Sequence, residues 1–294
     1  KAAVYVTSVN CTGSQTFTLD TIPRKSTLSA ENGTLGTEQT LTVTRKSSNF
    51  THTITYKCGS ESGTICDKSS STSIPWTPPI SLASQNTAAT KVDMTLTIST
   101  YNGSTSIGSN SVNISCAIPS SVAPSLSVAI SESTNYSGTY GGYIQNKSKL
   151  QIELTPTLAY ESPIVSYSTT VEGISYSGDS VTTGVLQGSG DFIVVTSIIK
   201  DKRGREAFVE ETIAVKPYKD PVVDKLTVNR CDSDGSNNDQ GEYIKVKFSA
   251  TVSSIDSKNT AAYKLLYKKT SGDRYTEQTL SDYANNYAVV DGSY

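Results

Sequence analysis

One histidine, one tryptophan and one methionine occur among the 294 residues, and only 18% of the chain is charged. The single histidine, His52, rules out any metal or catalytic centre built on several imidazoles. It stands between Thr51 and Thr53 in an alternating segment and reads as a strand residue. Basic and acidic residues number 25 and 27, a net charge of −2. A nucleic-acid-binding face needs a positive excess, so no nucleic-acid partner is expected. No run of about 18 apolar residues is present, so no segment is expected to span a membrane. The five cysteines, Cys11, Cys58, Cys66, Cys116 and Cys231, are odd in number and fit no zinc spacing. They read as free thiols of a chain folded in a reducing cytoplasm, with a Cys58–Cys66 bridge across the Gly59–Gly63 turn as the alternative. Nucleophile elbow, phosphate loop, dinucleotide fingerprint and His-Glu-x-x-His helix are all missing, and no pair of carboxylates stands out. The expectation is a protein that is not an enzyme, with no cofactor and no metal.

Serine and threonine fill the gap, at more than a quarter of the chain, and tyrosine supplies 17 of the aromatic residues. Threonine's branched β-carbon suits a pleated strand, and tyrosine suits half-buried positions where the ring packs and the hydroxyl stays wet. In a two-sheet sandwich only alternate residues face inward, so the outward ones can all be polar. Three proline-marked seams organise the chain: Thr16–Ser29, Val112–Val128 and Glu211–Val228. From Pro23 to Pro119 to Pro217 the steps are 96 and 98 residues, the length of one immunoglobulin-like sandwich. Proline fixes φ and lacks an N–H, so it ends sheet pairing and stiffens a joint. The fold class expected is all-β, with tandem immunoglobulin-like or fibronectin-III-like sandwiches joined by proline-containing linkers. Residues 1–22 read as terminal strands of a preceding domain, 23–120 and 121–218 as full domains, and 219–294 as an incomplete one.

Strands are expected at Thr40–Thr44, His52–Lys57, Asp93–Thr100 and Ser111–Cys116, with Asn102-Gly103 as a hairpin turn. The clearest hairpin is Asp191–Lys200, turn Asp201–Arg205, then Ala207–Val215.

Four features invite a functional reading. Asp232, Asp234, Asn237, Asn238, Asp239 and Glu242 gather oxygens around Gly235, as calcium requires, but off the EF-hand spacing, so a solvated turn is the simpler reading. Arg203-Gly204-Arg205 caps the strong hairpin, either as a solubilising turn or as a basic tip for an acidic partner. Trp76, in Ile74–Pro79, reads first as a core anchor and second as a sugar-stacking ring. A glycan-binding surface would group Trp76, Tyr101, Tyr140 and Tyr143 on one face. The seven Asn-x-Ser/Thr sequons are what so Ser/Thr-rich a composition produces by chance.

Several segments carry a resemblance: Thr16–Ser29, Asn32–Gly59, Trp76–Thr87, Ile199–Arg205 and Asn238–Thr270. They resemble a family of minor structural, tail-associated proteins of siphophages of Gram-positive bacteria. The likeness implies a virion component in the tail or its fibres, made in the host cytoplasm, with more chain before Lys1 and after Tyr294. Its partners would be other tail proteins and a host cell-surface glycan, and the chain would form a homo-oligomer following tail symmetry. The family offers no catalytic residues to carry over. The leading expectation is a spacer or fibre element that takes part in host-surface attachment; the alternative is a glycan-binding adhesion module on a phage or bacterial surface.

Overall fold

A computed structural model describes residues 2–8, 11–17, 24–268, 272, 274–280 and 287–291. Pro23, the first seam proline, lies outside the described residues. Two compact units emerge. The first holds Lys1–Ser125 with Pro156–Val165 and Lys200–Ala207; the second holds Leu126–Thr155, Ser166–Ile199 and Phe208–Tyr294.

In the first unit, β1 (Ala2–Ser8) pairs antiparallel with β2 (Cys11–Phe17). There follow β3 (Thr27–Ser29), β4 (Gly33–Thr34), β5 (Gln39–Thr44), β6 (Phe50–Cys58), β7 (Glu61–Ser69) and β8 (Ser73–Trp76). After the 3-10 helix Ile80–Gln85 come β9 (Lys91–Asn102) and β10 (Thr105–Ala117). One sheet runs β3-β5-β8 and the other β4-β10-β9-β6-β7, with β4 parallel to β10. Alternation decides which side chains meet between them. Leu41 and Val43 of β5, Ile54 of β6, and Met94, Leu96 and Ile98 of β9 all point into one core. The threonines of β5 are exposed on the other face. Gly103, at φ +59, closes the β9–β10 hairpin, a conformation a residue without Cβ adopts at no steric cost.

A second sandwich repeats the pattern. Its strands are β11 (Ser125–Glu132), β12 (Tyr143–Ile144), β13 (Lys149–Thr157), β14 (Ile164–Val171), β15 (Ile174–Ser177), β16 (Ser180–Val185), β17 (Gly190–Asp201) and β18 (Glu206–Lys216). A five-residue helix, α1 (Tyr136–Tyr140), precedes β12. The sheets are β11-β13-β16 and β12-β18-β17-β14-β15, with β12 parallel to β18. Shifted by eight strands, these are the orders of the first sandwich. Leu150, Ile152 and Val181 from one sheet and Val171, Val195, Ile199 and Val215 from the other are buried.

The same opening recurs once more. β19 (Val222–Cys231), β20 (Tyr243–Thr251) and β23 (Tyr287–Asp291) form a sheet that matches β3-β5-β8. β21 (Tyr263–Tyr267) and β22 (Thr276–Leu280) form a hairpin that matches β6–β7. Between β10 and β11 lie Ile118–Pro124, and between β18 and β19 lie Pro217–Pro221, both without strand pairing. The chain is all-β, a tandem of sandwiches with proline-containing links.

Candidate functional site

His52 is fully buried on β6. Its Nε2 lies 2.8 Å from Ser26 Oγ. The Ser26 backbone N–H donates to Thr100 Oγ1 at 3.0 Å, and Asn110 donates to the Ser26 carbonyl at 2.6 Å. Burial lowers the imidazole's pKa, the Ser69 backbone works against that, and the Arg45 charge adds to it. A serine beside a histidine has the form of a nucleophile and its base. Here Ser26 and His52 are both at 0% exposure, so no substrate reaches them, and the pair ties the start of the sandwich to β6 and β9.

The oxygens of the 232–242 loop turn on the loop itself. Asp232 Oδ1 accepts from Asn238 at 2.8 Å, Asp234 Oδ1 from the Ser236 N–H at 2.8 Å, and Asn238 Oδ1 from the Gln240 N–H at 2.9 Å. The Ser236 N–H holds the Asp234 carboxyl below its usual range. Lys245 Nζ donates to the Gly235 carbonyl at 2.7 Å. A Cβ on Gly241 would collide with the Cys231 carbonyl. Among the described residues no three His, Cys, Asp or Glu side chains gather where a cation would sit. The acidic composition is accounted for by turn chemistry.

Cys58, Cys66, Cys116 and Cys231 are free thiols. The β6–β7 register sets Cys58 opposite Glu61 and Cys66 opposite Ile54, so the two cysteines are not cross-strand partners. Burial pushes the thiols of Cys58, Cys66 and Cys116 up, which leaves them protonated and unreactive. Cys11 lies on β2, and its side chain is outside the described residues.

Trp76 is a core residue, 9% exposed, with its ring 5.6 Å from that of Tyr56. This removes it from any sugar-stacking surface. Tyr101, partly exposed, lies under Lys68 Nζ at 5.5 Å in the first unit. Tyr140 and Tyr143 belong to the second.

The Arg203-Gly204-Arg205 turn differs most from its sequence reading. Gly204, at φ +83, makes the tight turn. Arg203 is only 6% exposed. Its guanidinium donates to the carbonyls of Ala83 (2.7 Å), Asn86 (3.1 Å), Ala159 (2.7 Å) and Tyr160 (3.1 Å). Arg205 donates to Ile118 O at 2.7 Å, to Val122 O at 2.6 Å and to Pro119 O. All these groups belong to the first unit. The planar, multiply donating guanidinium suits a cluster of carbonyls that no secondary structure satisfies. The turn is neither a solvated cap nor a free basic tip. The carbonyls come from the 3-10 helix and its exit, the link after β10 and the loop before β14. No local sequence pattern announces that convergence.

In the second unit a cavity of about 770 Å3 opens beside α1. Tyr136 and Tyr140 line it with rings 6.5 Å apart and 22° from parallel. Lys147 Nζ lies 5.4 Å from the Tyr218 ring centre and 2.6 Å from Asp220, which holds the ammonium's pKa up. The Tyr140 carbonyl accepts from Lys216 at 2.7 Å and from Lys258 at 3.0 Å, which fixes the end of the helix. Apolar side chains of β19, β20 and β21, among them Val222, Leu226, Val246, Phe248 and Leu266, line much of the rest. Stacked tyrosines over an apolar floor offer flat faces to a ring, sugar included. No sequence signal singles out Tyr136 or Tyr218, and the Glu211–Val228 seam that holds Tyr218 reads only as a joint.

Comparison with known proteins adds three kinds of finding. No curated protein matches in sequence. Among solved structures, the chain is similar to a 1.5-MDa bacterial ice-binding adhesin, at 15% identity over 93% of this chain and 89% of that one, TM-score 0.33. It is also similar to fibronectin(III)-like modules of Clostridium thermocellum CbhA (14%, 66% and 95%, TM-score 0.26) and to the FN1–FN3 domains of chicken CNTN1 (12%, 91% and 87%, TM-score 0.27). A family model described as "Siphovirus protein of unknown function (DUF859)" matches residues 7–289. Nearly the whole chain falls under that model, and the protein belongs to this siphovirus family.

Proposed function

We propose that this chain is a structural component of the phage tail, a spacer or fibre element that holds other parts at a set distance and carries out no catalysis. The observation that carries this reading is the repetition of one eight-strand sandwich, stiffened at its first link by Arg203 and Arg205. A length of similar modules with a pinned link suits spanning better than turnover. The only histidine is sealed inside a sandwich, which supports a non-catalytic role. Membership of a siphovirus family supports a place in the particle. The test is mass spectrometry and antibody labelling of gradient-purified virions. Peptides of this chain should be present, with label on the tail. A chain found in infected cells but missing from purified particles would overturn the reading.

A second reading, a glycan-binding adhesion module, is favoured by one observation, the paired Tyr136 and Tyr140 rings that line the second unit's cavity. Host cell-wall polysaccharide should then bind the purified chain. Tyr136→Ala with Tyr140→Ala should weaken binding about tenfold or more in titration calorimetry, as loss of one or two stacking rings does. Equal affinity of the double variant and the parent would remove the reading.

A further inference from the structure

Two turns stand in the same place in successive modules and share an unusual backbone. One joins β13 to β14, the other β20 to β21. In the first, Tyr160 and Glu161 have φ of +46 and +62; in the second, Asp256 and Ser257 have φ of +49 and +59. Each pair is closed as a four-residue turn. The Ser162 N–H donates to the Ala159 carbonyl at 3.2 Å, and the Lys258 N–H donates to the Ile255 carbonyl at 2.9 Å. Positive φ at both central residues is the type I′ geometry, which glycine, asparagine and aspartate dominate. Of the four residues only Asp256 is of such a type. A Cβ crowds the neighbouring carbonyl in this conformation, and a side chain as bulky as tyrosine is rarely found there.

The equivalent β5–β6 connection shows that the fold does not demand this. None of Arg45–Asn49 has positive φ. Arg45 ties that loop to its own module, at the carbonyls of Ser48 (3.2 Å) and Ser70 (2.8 Å). The two strained turns are tied to the module before them. Ser162, at 0% exposure, donates its hydroxyl proton to the Thr87 carbonyl at 2.9 Å. Ala159 packs against the core of the first sandwich. Arg203 joins the carbonyls of Ala159 and Tyr160 to those of Ala83 and Asn86. In the later turn Ile255 is 5% exposed and lines the cavity with Tyr140 and Ile144 of the second sandwich. Asp256 accepts from Lys216 at 2.6 Å, and Lys258 donates to the Tyr140 carbonyl at 3.0 Å. The first set of contacts lies wholly within the first unit and the second wholly within the second. Backbone strain persists only where surrounding contacts over-determine it, and here those contacts are with the preceding sandwich.

We propose that these two turns are sprung straps: each is held in a strained, closed form by docking on the sandwich before it, and relaxes when that docking opens. Each junction then has a closed and an open state. The strain subtracts from the docking energy, so a strap opens locally while the sandwich cores stay folded. The device does not depend on where the chain sits in a particle.

Hydrogen exchange of single amides in the purified chain tests this. The Ser162 and Lys258 amides should exchange faster than core amides such as those of Leu96 and Ile152, both at 0% exposure. Tyr160→Asn with Glu161→Gly gives the first turn the residues its geometry prefers, and should slow Ser162 exchange about tenfold. Lys258 exchange should not change in that variant. Ser162→Ala keeps the turn's own hydrogen bond but cuts the tie to Thr87, and should speed exchange at the same amide about fivefold. Lys216→Met should speed Lys258 exchange alone. Equal Ser162 exchange in the parent and the Asn-Gly variant would show that there is no strain to relieve. Turn amides that exchange as slowly as Leu96 and Ile152, through global unfolding only, would show that there is no separate open state. Either result overturns the proposal.

Discussion

Arg203→Ala will lower the stability of the first unit by about 3 kcal/mol, the scale of a lost charged hydrogen-bonding group that leaves buried acceptors unpaired. The side chain is 6% exposed and serves four carbonyls, those of Ala83, Asn86, Ala159 and Tyr160. Each carbonyl is left facing a gap when the donor goes. Lysine offers three donors on one flexible atom and cannot match a planar fork, so Arg203→Lys will recover less than half of the loss. The only tryptophan, Trp76, lies in the core of this same unit, so its fluorescence during urea unfolding reports on that unit alone. A variant that unfolds at the parent's urea midpoint would show that water replaces the guanidinium at no cost.

Acid will weaken the same unit before any carboxylate titrates. His52 is buried neutral, and burial holds its pKa below the ordinary imidazole value of about 6.5. Between 6.5 and that lower folded value the unfolded chain binds a proton that the folded chain refuses. Stability from this group is therefore complete above 6.5 and falls as pH drops toward the folded pKa, by up to about 1.4 kcal/mol per pH unit. No second histidine exists, and ordinary carboxylates protonate near 4. The window from about 6.5 to 5 thus belongs to His52. Urea midpoints read by Trp76 fluorescence at pH 7.5 and 5.5 should differ for the parent. They should nearly coincide for His52→Gln, which keeps a hydrogen-bonding group beside Ser26 but does not titrate. A parent whose midpoint is the same at both pH values would refute the assignment.

Local rules recovered what is local. Strict alternation located β5, since Leu41 and Val43 had to share a face. Asn-Gly named the β9–β10 turn, and two apolar runs about a basic turn gave the β17–β18 hairpin. The expected strands were short of the observed ones. Thr105–Ala117 extends well before Ser111, because partner hydrogen bonds carry a strand through polar residues that pattern alone treats as loop. Trp76 read correctly as core, because a lone large aromatic in a thin sandwich has few other places to go. The roles of Arg203 and His52 were illegible for one shared reason. Each is set by backbone and side-chain groups distant in sequence, such as Ala83 for Arg203 and Ser26 for His52, at 120 and 26 residues' separation. The apolar run in β17 was legible as residues, Phe192-Ile193-Val194-Val195, but the exposure of Phe192 and Val194 was not. A run buried on both sides and a run exposed on one look alike until the covering sheet is placed.

Near its start, each sandwich lays a short second strand parallel to its own last one: Gly33 and Thr34 against Cys116 and Ala117, then Tyr143 and Ile144 against Val215 and Lys216. The Leu35 N–H donating to the Ala117 carbonyl and the Gln145 N–H donating to the Lys216 carbonyl, both at 2.9 Å, lengthen each pair by a bond. This arrangement has a mechanical consequence. Tension applied at a module's two ends pulls such a pair in opposite directions along its own axis, so its hydrogen bonds are strained together in shear. An antiparallel hairpin pulled from its open end would instead give way one bond at a time. Placed just behind the opening strand of each complete module, this pair makes the module resist being drawn out lengthwise.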